Sequence, residues 1–184
     1  MAGLDPAIHL FDVRVDARVE PGHDKQRVMT PTIHVQRETF DIADEVAAVT
    51  AGRSDIGAVV TFTGVCRDEG GRLAALELEH YAGMAEAEIA RVAGEAGERW
   101  PLQGVTVIHR FGTIAPGENI VFVVTASAHR GAAFAAAEFL MDYLKTRAPF
   151  WKREHLADGR KGEWVEAATD DDEAAGRWRT PVQP

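Results

Sequence analysis

The chain reads as an α+β domain with a mainly antiparallel sheet and flanking helices. Three observations carry this reading. Residues 105–111 alternate Val105, Val107, His109 and Phe111 against Thr106, Ile108 and Arg110, and residues 120–126 are almost wholly apolar. Residues 85–100 and 131–147 repeat their apolar side chains at helical spacing. The elements do not follow a regular strand–helix alternation, and no glycine-rich phosphate loop is present.

Residues 1–30 mix charges, Pro21, Gly22 and short apolar pieces without periodicity, and they read as a poorly ordered N-terminal extension. Met29 offers an alternative start of translation. A short strand is expected over 32–36. Asp41 then serves as the N-cap of a helix bearing Ile42, Val46, Ala47 and Val49, which ends near Gly52. Gly57-Ala-Val-Val-Thr-Phe-Thr-Gly64 is β-branched, aromatic and bounded by glycine, as a strand should be. The turn residues Asp68-Glu-Gly-Gly71 and a second strand over 73–80 suggest a hairpin with Arg67 near its end.

A helix over 85–100 carries Ile89, Val92, Ala93, Ala96 and Trp100 on one side, and Pro101 ends it. Pro116-Gly117 fits the centre of a type II turn between the two apolar strands. The strand over 120–126 should be central. The helix over 131–147 must stop before Pro149. Trp164-Val-Glu suits a short final strand, and six acids with no base follow from Glu163 to Glu173. The expected organisation is an extension over 1–30, one domain over 31–168 and an acidic, polar tail over 169–184.

Composition narrows the function. At 184 residues and 46% hydrophobic, the chain can bury one real core. A net charge of -9 disfavours nucleic acid as the main partner. The single cysteine, Cys66, excludes an internal disulfide and a cysteine-rich metal site, and it reads as a buried small hydrophobe. No His/Cys/Asp spacing supports a metal, and no cofactor is expected. There is no secretory signal pattern and no apolar run near the roughly 20 residues of a membrane span, so a cytoplasmic location is expected.

Against this acidic background, Lys145, Arg147, Lys152 and Arg153 lie within nine residues, interleaved with Phe150 and Trp151. The chain has only four lysines, and two of them are here. A lysine in the last turn of a helix is favoured by the dipole whatever its use. If the aromatics fold the segment back, however, Lys152 approaches Lys145. Two ammonium groups brought together disfavour each other's charge, which suits a base or nucleophile. His129-Arg130 sits where the apolar strand passes into a helix, a place suited to an anion, and equally to a plain surface pair. Ser127 and His129 permit a serine-hydrolase reading, but no nucleophile-elbow glycines surround Ser127. Arg67, taken alone, is a turn arginine.

Five segments together resemble a known family. They are Gly57-Ala-Val-Val-Thr-Phe-Thr-Gly64 with Arg67, Leu78-Glu-His-Tyr-Ala-Gly-Met84, Val107-Ile-His-Arg-Phe-Gly112, Ser127-Ala-His-Arg130 and Met141-Asp-Tyr-Leu-Lys-Thr-Arg-Ala-Pro-Phe-Trp-Lys-Arg-Glu154. In this order, over about residues 32–167, they are similar to the large, catalytic subunit of molybdopterin synthase.

The resemblance implies an α/β-hammerhead type of fold and a homodimer at the centre of a heterotetramer. The implied partner is a small ubiquitin-like subunit whose C-terminal Gly-Gly carries a thiocarboxylate. The implied reaction moves its sulfur to cyclic pyranopterin monophosphate, in two transfers that build the dithiolene of molybdopterin. By the same resemblance, Lys145 and Lys152 match the catalytic lysines. Arg67, His129 and Arg130 match residues that hold the pterin phosphate, in part from the neighbouring subunit, and Arg147 would support the anion or the tail. Phe150 and Trp151 would shape the tail channel or serve structure alone. Cys66 departs from the pattern, and residues 1–30 have no counterpart in it. A module that binds the tail without catalysis is the rival reading, and the intact lysine pair argues against it.

Overall fold

A computed structural model describes residues 29–164 and Trp178. The chain runs β1 (Thr32–Gln36), α1 (Ile42–Thr50), β2 (Ala58–Val65), β3 (Leu73–His80), α2 (Met84–Arg99), β4 (Leu102–Arg110), β5 (Gly112–Ile114), β6 (Asn119–Ser127), α3 (Arg130–Arg147) and β7 (Phe150–Leu156). Two sheets form, in the orders β1-β4-β6-β2 and β5-β3-β7. Every pairing is antiparallel except β1 with β4. This is the mainly antiparallel α+β architecture that the sequence predicts.

The first sheet is buried on both faces, and strand alternation divides its side chains between two cores. Val105, Val107, Val121 and Val123 pack with Ile89, Val92, Phe139 and Leu140 beneath α2 and α3. Ile108, Phe122 and Val124 point the other way, to Phe40 and to Val46 and Val49 of α1. The Asp41 carboxylate starts α1 by accepting from the N–H groups of Ala43 (2.8 Å) and Asp44 (3.1 Å). At the start of α2 the Gly83 N–H donates to Glu86 at 2.7 Å.

Two expectations fail. The predicted hairpin does not exist: β2 pairs with β6, whereas β3 is the middle strand of the second sheet. Glu69, Gly70 and Gly71 all take positive φ (56°, 74° and 82°), so the link turns the chain out of the plane of β2 instead of folding it back. The Cys66 N–H meanwhile carries the pairing just past the start of β6, donating to Glu118 O at 2.8 Å. The predicted strand at Trp164 is also absent at that residue, and 165 and 166 lie outside the described residues. The closing strand is instead β7, whose residues Phe150 to Arg153 show in the sequence only as a basic, aromatic segment.

Of the extension expected over 1–30, residues 1–28 lie outside the described residues, as does the acidic run beyond 164. Within them, Met29 packs against the main core. Trp178 sits edge-on to Trp100 and Phe139, and its indole N–H donates to Asp142 at 2.7 Å.

Candidate active site

Helix α3 positions most of the candidate residues, and it does so at its two ends. Ser127 closes β6, His129 is the N-cap of α3, and Arg130 is its first residue. The corner is held tightly. The Ser127 hydroxyl donates to Pro101 O at 2.9 Å and accepts from the His129 N–H at 3.3 Å. Gly57 donates its N–H to Ser127 O at 3.1 Å. A Cβ at Gly57 would stand 2.3 Å from Ala128 O, so only glycine lets the two backbones approach this closely. His129 and Arg130 emerge from this corner exposed. Ser127, by contrast, is fully buried and engaged with main chain, which removes it as a nucleophile.

At the other end, Lys145 lies in the last turn of α3 and is exposed. Only Ala148 and Pro149 separate α3 from β7, so Lys152 follows directly on the new strand, also exposed. Alternation along β7 divides the basic segment between two faces. Phe150 and Lys152 share one face. Phe150 stacks on His109 at a ring-centroid distance of 3.8 Å and on His80 at 5.8 Å, and the His80 ring lies 4.4 Å from that of Phe111. This packing fixes the start of β7 against the first sheet and gives Phe150 a structural role. Burial in the cluster pushes the His109 imidazole down to about 4, with a smaller contribution from His80.

Trp151, Arg153 and His155 occupy the opposite face of β7. There Glu77 Oε2 accepts from His155 Nε2 (2.6 Å) and from Arg153 Nε (3.0 Å) and Nη2 (2.6 Å). These bonds, His155's first and then Arg153's, hold the Glu77 carboxyl below its ordinary value. Arg153 is therefore a cross-strand tie and not part of an open cationic site. The sequence could have announced it: with β7 drawn in register, Glu77 falls opposite Arg153.

Arg67 lies just past β2, its side chain 84% exposed, in a surface pair with Glu69 at 3.0 Å that leaves it available to an anion. Arg147 is the last residue of α3. Cys66 is buried, its thiol is pushed up by that burial, and its Sγ lies 3.8 Å from Ile114 O, so it is a core residue. Among the described residues no group of His, Cys, Asp or Glu could hold a metal ion, and no helix is long and apolar enough to cross a membrane.

The candidates thus form two groups within one chain. Arg130 and Lys145 are fifteen residues apart on one helix, which at about 1.5 Å per residue is about 22 Å. Arg67 belongs with the lysines. It follows Val65, which pairs with Asn119, and the His109 that supports Phe150 pairs with Val121 at the same end of β6. Ala58 pairs with Ser127 at the far end.

Comparison with known proteins agrees with this architecture. The family model described as MoaE protein matches residues 35–147. The molybdopterin synthase catalytic subunit of Mesorhizobium japonicum is 68% identical over 153 residues, covering 83% of this chain and 96% of that protein. Its counterpart from Brucella melitensis is 62% identical over 158 residues, covering 86% and 97%. Among solved structures, the molybdopterin biosynthesis MoaE protein from Burkholderia ambifaria superposes with a TM-score of 0.71 at 48% identity, covering 82% of this chain and 99% of that one. Molybdopterin synthase from Staphylococcus aureus gives 0.64 at 30% identity, covering 72% and 95%. With the fold, the motif order and the extent of these matches in agreement, the chain belongs to the MoaE protein family of molybdopterin synthase catalytic subunits.

Proposed function

We propose that this chain transfers sulfur from the C-terminal thiocarboxylate of a small ubiquitin-like subunit to cyclic pyranopterin monophosphate, forming the dithiolene of molybdopterin. The observation that carries the proposal is the placement of Lys145 and Lys152, two exposed lysines that flank the two-residue link between α3 and β7. Arg67 lies toward the same end of the first sheet. In this reading the thiocarboxylate tail ends beside the lysine pair. Lys145 acts as general acid and base, and Lys152 holds the acyl group or the intermediate. Each transfer breaks the acyl–sulfur bond of the tail and one carbon–oxygen bond of the pterin side chain as the carbon–sulfur bond forms; the oxygen leaves as water at one carbon and with the opened cyclic phosphate at the other, and the acyl group passes to water, directly or by way of a lysine adduct, to leave a carboxylate. Arg147 supports the anion or the tail.

His129 and Arg130 enter from a second copy. A helix start with free N–H groups and an adjacent guanidinium suits a phosphate. About 22 Å of helix keeps that end away from the lysines of its own chain. In a homodimer, the His129-Arg130 corner of one protomer completes the Lys145 end of the other, and a small subunit on each side gives a heterotetramer. A cytoplasmic location fits a reaction on a soluble phosphorylated pterin.

The direct experiment mixes the purified chain with cyclic pyranopterin monophosphate and a thiocarboxylated small subunit, then assays molybdopterin. Product formation supports the proposal. Binding of the small subunit without any product would favour a tail-binding module.

A further inference from the structure

The loop between β2 and β3 holds the one described residue other than glycine with a positive φ, Glu69 at 56°. A side chain in this left-handed region crowds its own backbone, whereas glycine occupies it freely. The next two residues, Gly70 and Gly71, take positive φ as glycines should. The Asp68 carboxylate closes the turn by accepting from the Gly71 N–H at 2.9 Å. A third glycine at position 69 would therefore suit this backbone better than a glutamate. A strained residue beside a candidate site points to a use for its side chain.

That side chain lies between two arginines. Glu69 Oε1 accepts from Arg67 Nη2 at 3.0 Å, and Oε2 accepts from Arg72 Nη2 at 2.6 Å. These bonds, Arg67's first, hold the Glu69 carboxyl below its ordinary value, so it is an anion near neutral pH. The two partners differ. Arg72 also approaches Glu154 of β7 at 3.7 Å, two residues beyond Lys152 on the same face of the strand. Arg67 has no ion pair but that with Glu69 among the described residues, and one nitrogen, Nη2, makes it.

From these observations we infer that Glu69 is an internal competitor for the substrate phosphate: it occupies Arg67 before the precursor binds, then yields Arg67 to the phosphate and keeps Arg72. The inference rests on the functional reading above, with Arg67 among the residues that hold the pterin phosphate. Three features make the exchange favourable. An exposed ion pair made through one bond is weak. A phosphate can engage a guanidinium through two parallel bonds. Displacement leaves Glu69 with the shorter of its two bonds, so no carboxylate is stranded. Glu69 thus sets what an anion must offer to hold Arg67, and precursor binding is weaker than the arginine alone would give.

The test is the dependence of molybdopterin formation on cyclic pyranopterin monophosphate, with the full-length chain and saturating thiocarboxylated small subunit. Glu69→Gln is expected to lower KM for the precursor about threefold at unchanged kcat. Glu69→Gly, which suits the same φ, should lower it as well. In an Arg67→Ala background, Glu69→Gln should bring no fall in KM, because the residue acts through Arg67. An ion pair that serves only the loop gives an unchanged or raised KM when broken. That result in both variants would overturn the inference and leave the sulfur-transfer reading standing. An equal fall in the Arg67→Ala background would also overturn it, by showing a general effect of charge. Failure of the wild-type chain to form product at all would overturn both.

Discussion

The two ends of α3 are built on opposite plans. The N-terminal end is over-determined. His129 and Arg130 project from a corner fixed by the buried Ser127 hydroxyl, by main-chain bonds and by a glycine that allows backbone contact. The C-terminal end is a short link of two residues, Ala148 and Pro149, carrying an exposed lysine on either side. Between them the helix is core: Ala133, Ala136, Phe139 and Leu140 are buried, and Trp100, Tyr143 and Trp178 pack around Phe139. The difference teaches where each kind of chemistry can reside. In the proposed function the tightly held corner would grip a phosphate, and the exposed lysines would meet a tail arriving from outside.

That contrast can be broken from either end. Lys145→Ala should show the largest effect on turnover, a loss of at least about a hundredfold, with stability changed by no more than about 0.5 kcal/mol because the residue is exposed. Assays of product formation alongside urea denaturation separate the two, and near-normal turnover would remove Lys145 from its role. Gly57→Ala acts on the rigid end. The new methyl meets Ala128 O at 2.3 Å, so backbone must move, at a cost of about 1–3 kcal/mol. Because the strain falls on the turn that presents His129, a parallel loss of precursor binding is expected, and unchanged stability would show that the corner yields freely.

Acid should weaken the packing beneath the lysine end. His109 stays neutral in the folded chain down to about 4, whereas the unfolded imidazole takes a proton near 6.5. Stability should therefore fall as pH drops from 6.5 towards 4, by at most about 3 kcal/mol and less to the extent that the ring keeps contact with water. Protonation of Glu77 adds a further loss at more acidic pH, since its folded-state carboxyl is held below the ordinary value. Urea denaturation across this range, repeated on His109→Phe, should show a shallower slope for the variant; identical slopes would contradict the assignment. The smallest effect is expected for Arg130→Ala, about a tenfold rise in KM for the precursor with little change in kcat. A fall in kcat at unchanged KM would place Arg130 in the chemistry instead of the grip.

Much of the fold was legible in the sequence because local signals and tertiary roles coincide there. Asp41 caps α1 as its chemistry demands, and the alternation over 105–111 survives in β4 as two opposed core faces. The hairpin was misread because Asp68-Glu-Gly-Gly71 signals a turn without revealing its direction. Direction is set by three consecutive positive φ values and by the competing partner β6. Strand β7 was hidden by its charges. Lys152, Arg153 and Glu154 look like solvent-facing residues in the sequence; Lys152 is one, but Arg153 is tied to Glu77 and the Phe150–His109 stack seats the strand. As for the site, the residue types and the two clusters were visible in the chain. Their separation was not, because it depends on α3 running unbroken from Arg130 to Arg147.

That separation leads to the most direct test. Lys145→Ala and Arg130→Ala are purified separately, mixed under conditions that exchange protomers, and assayed with thiocarboxylated small subunit at a precursor concentration well below the wild-type KM, where each variant alone is nearly inactive. If each site takes Lys145 from one chain and Arg130 from its partner, half of the mixed dimers' sites are intact, and random exchange restores about a quarter of wild-type activity. A mixture no more active than the average of the two variants alone would mean that both residues serve the same chain, and the two-protomer site would be wrong.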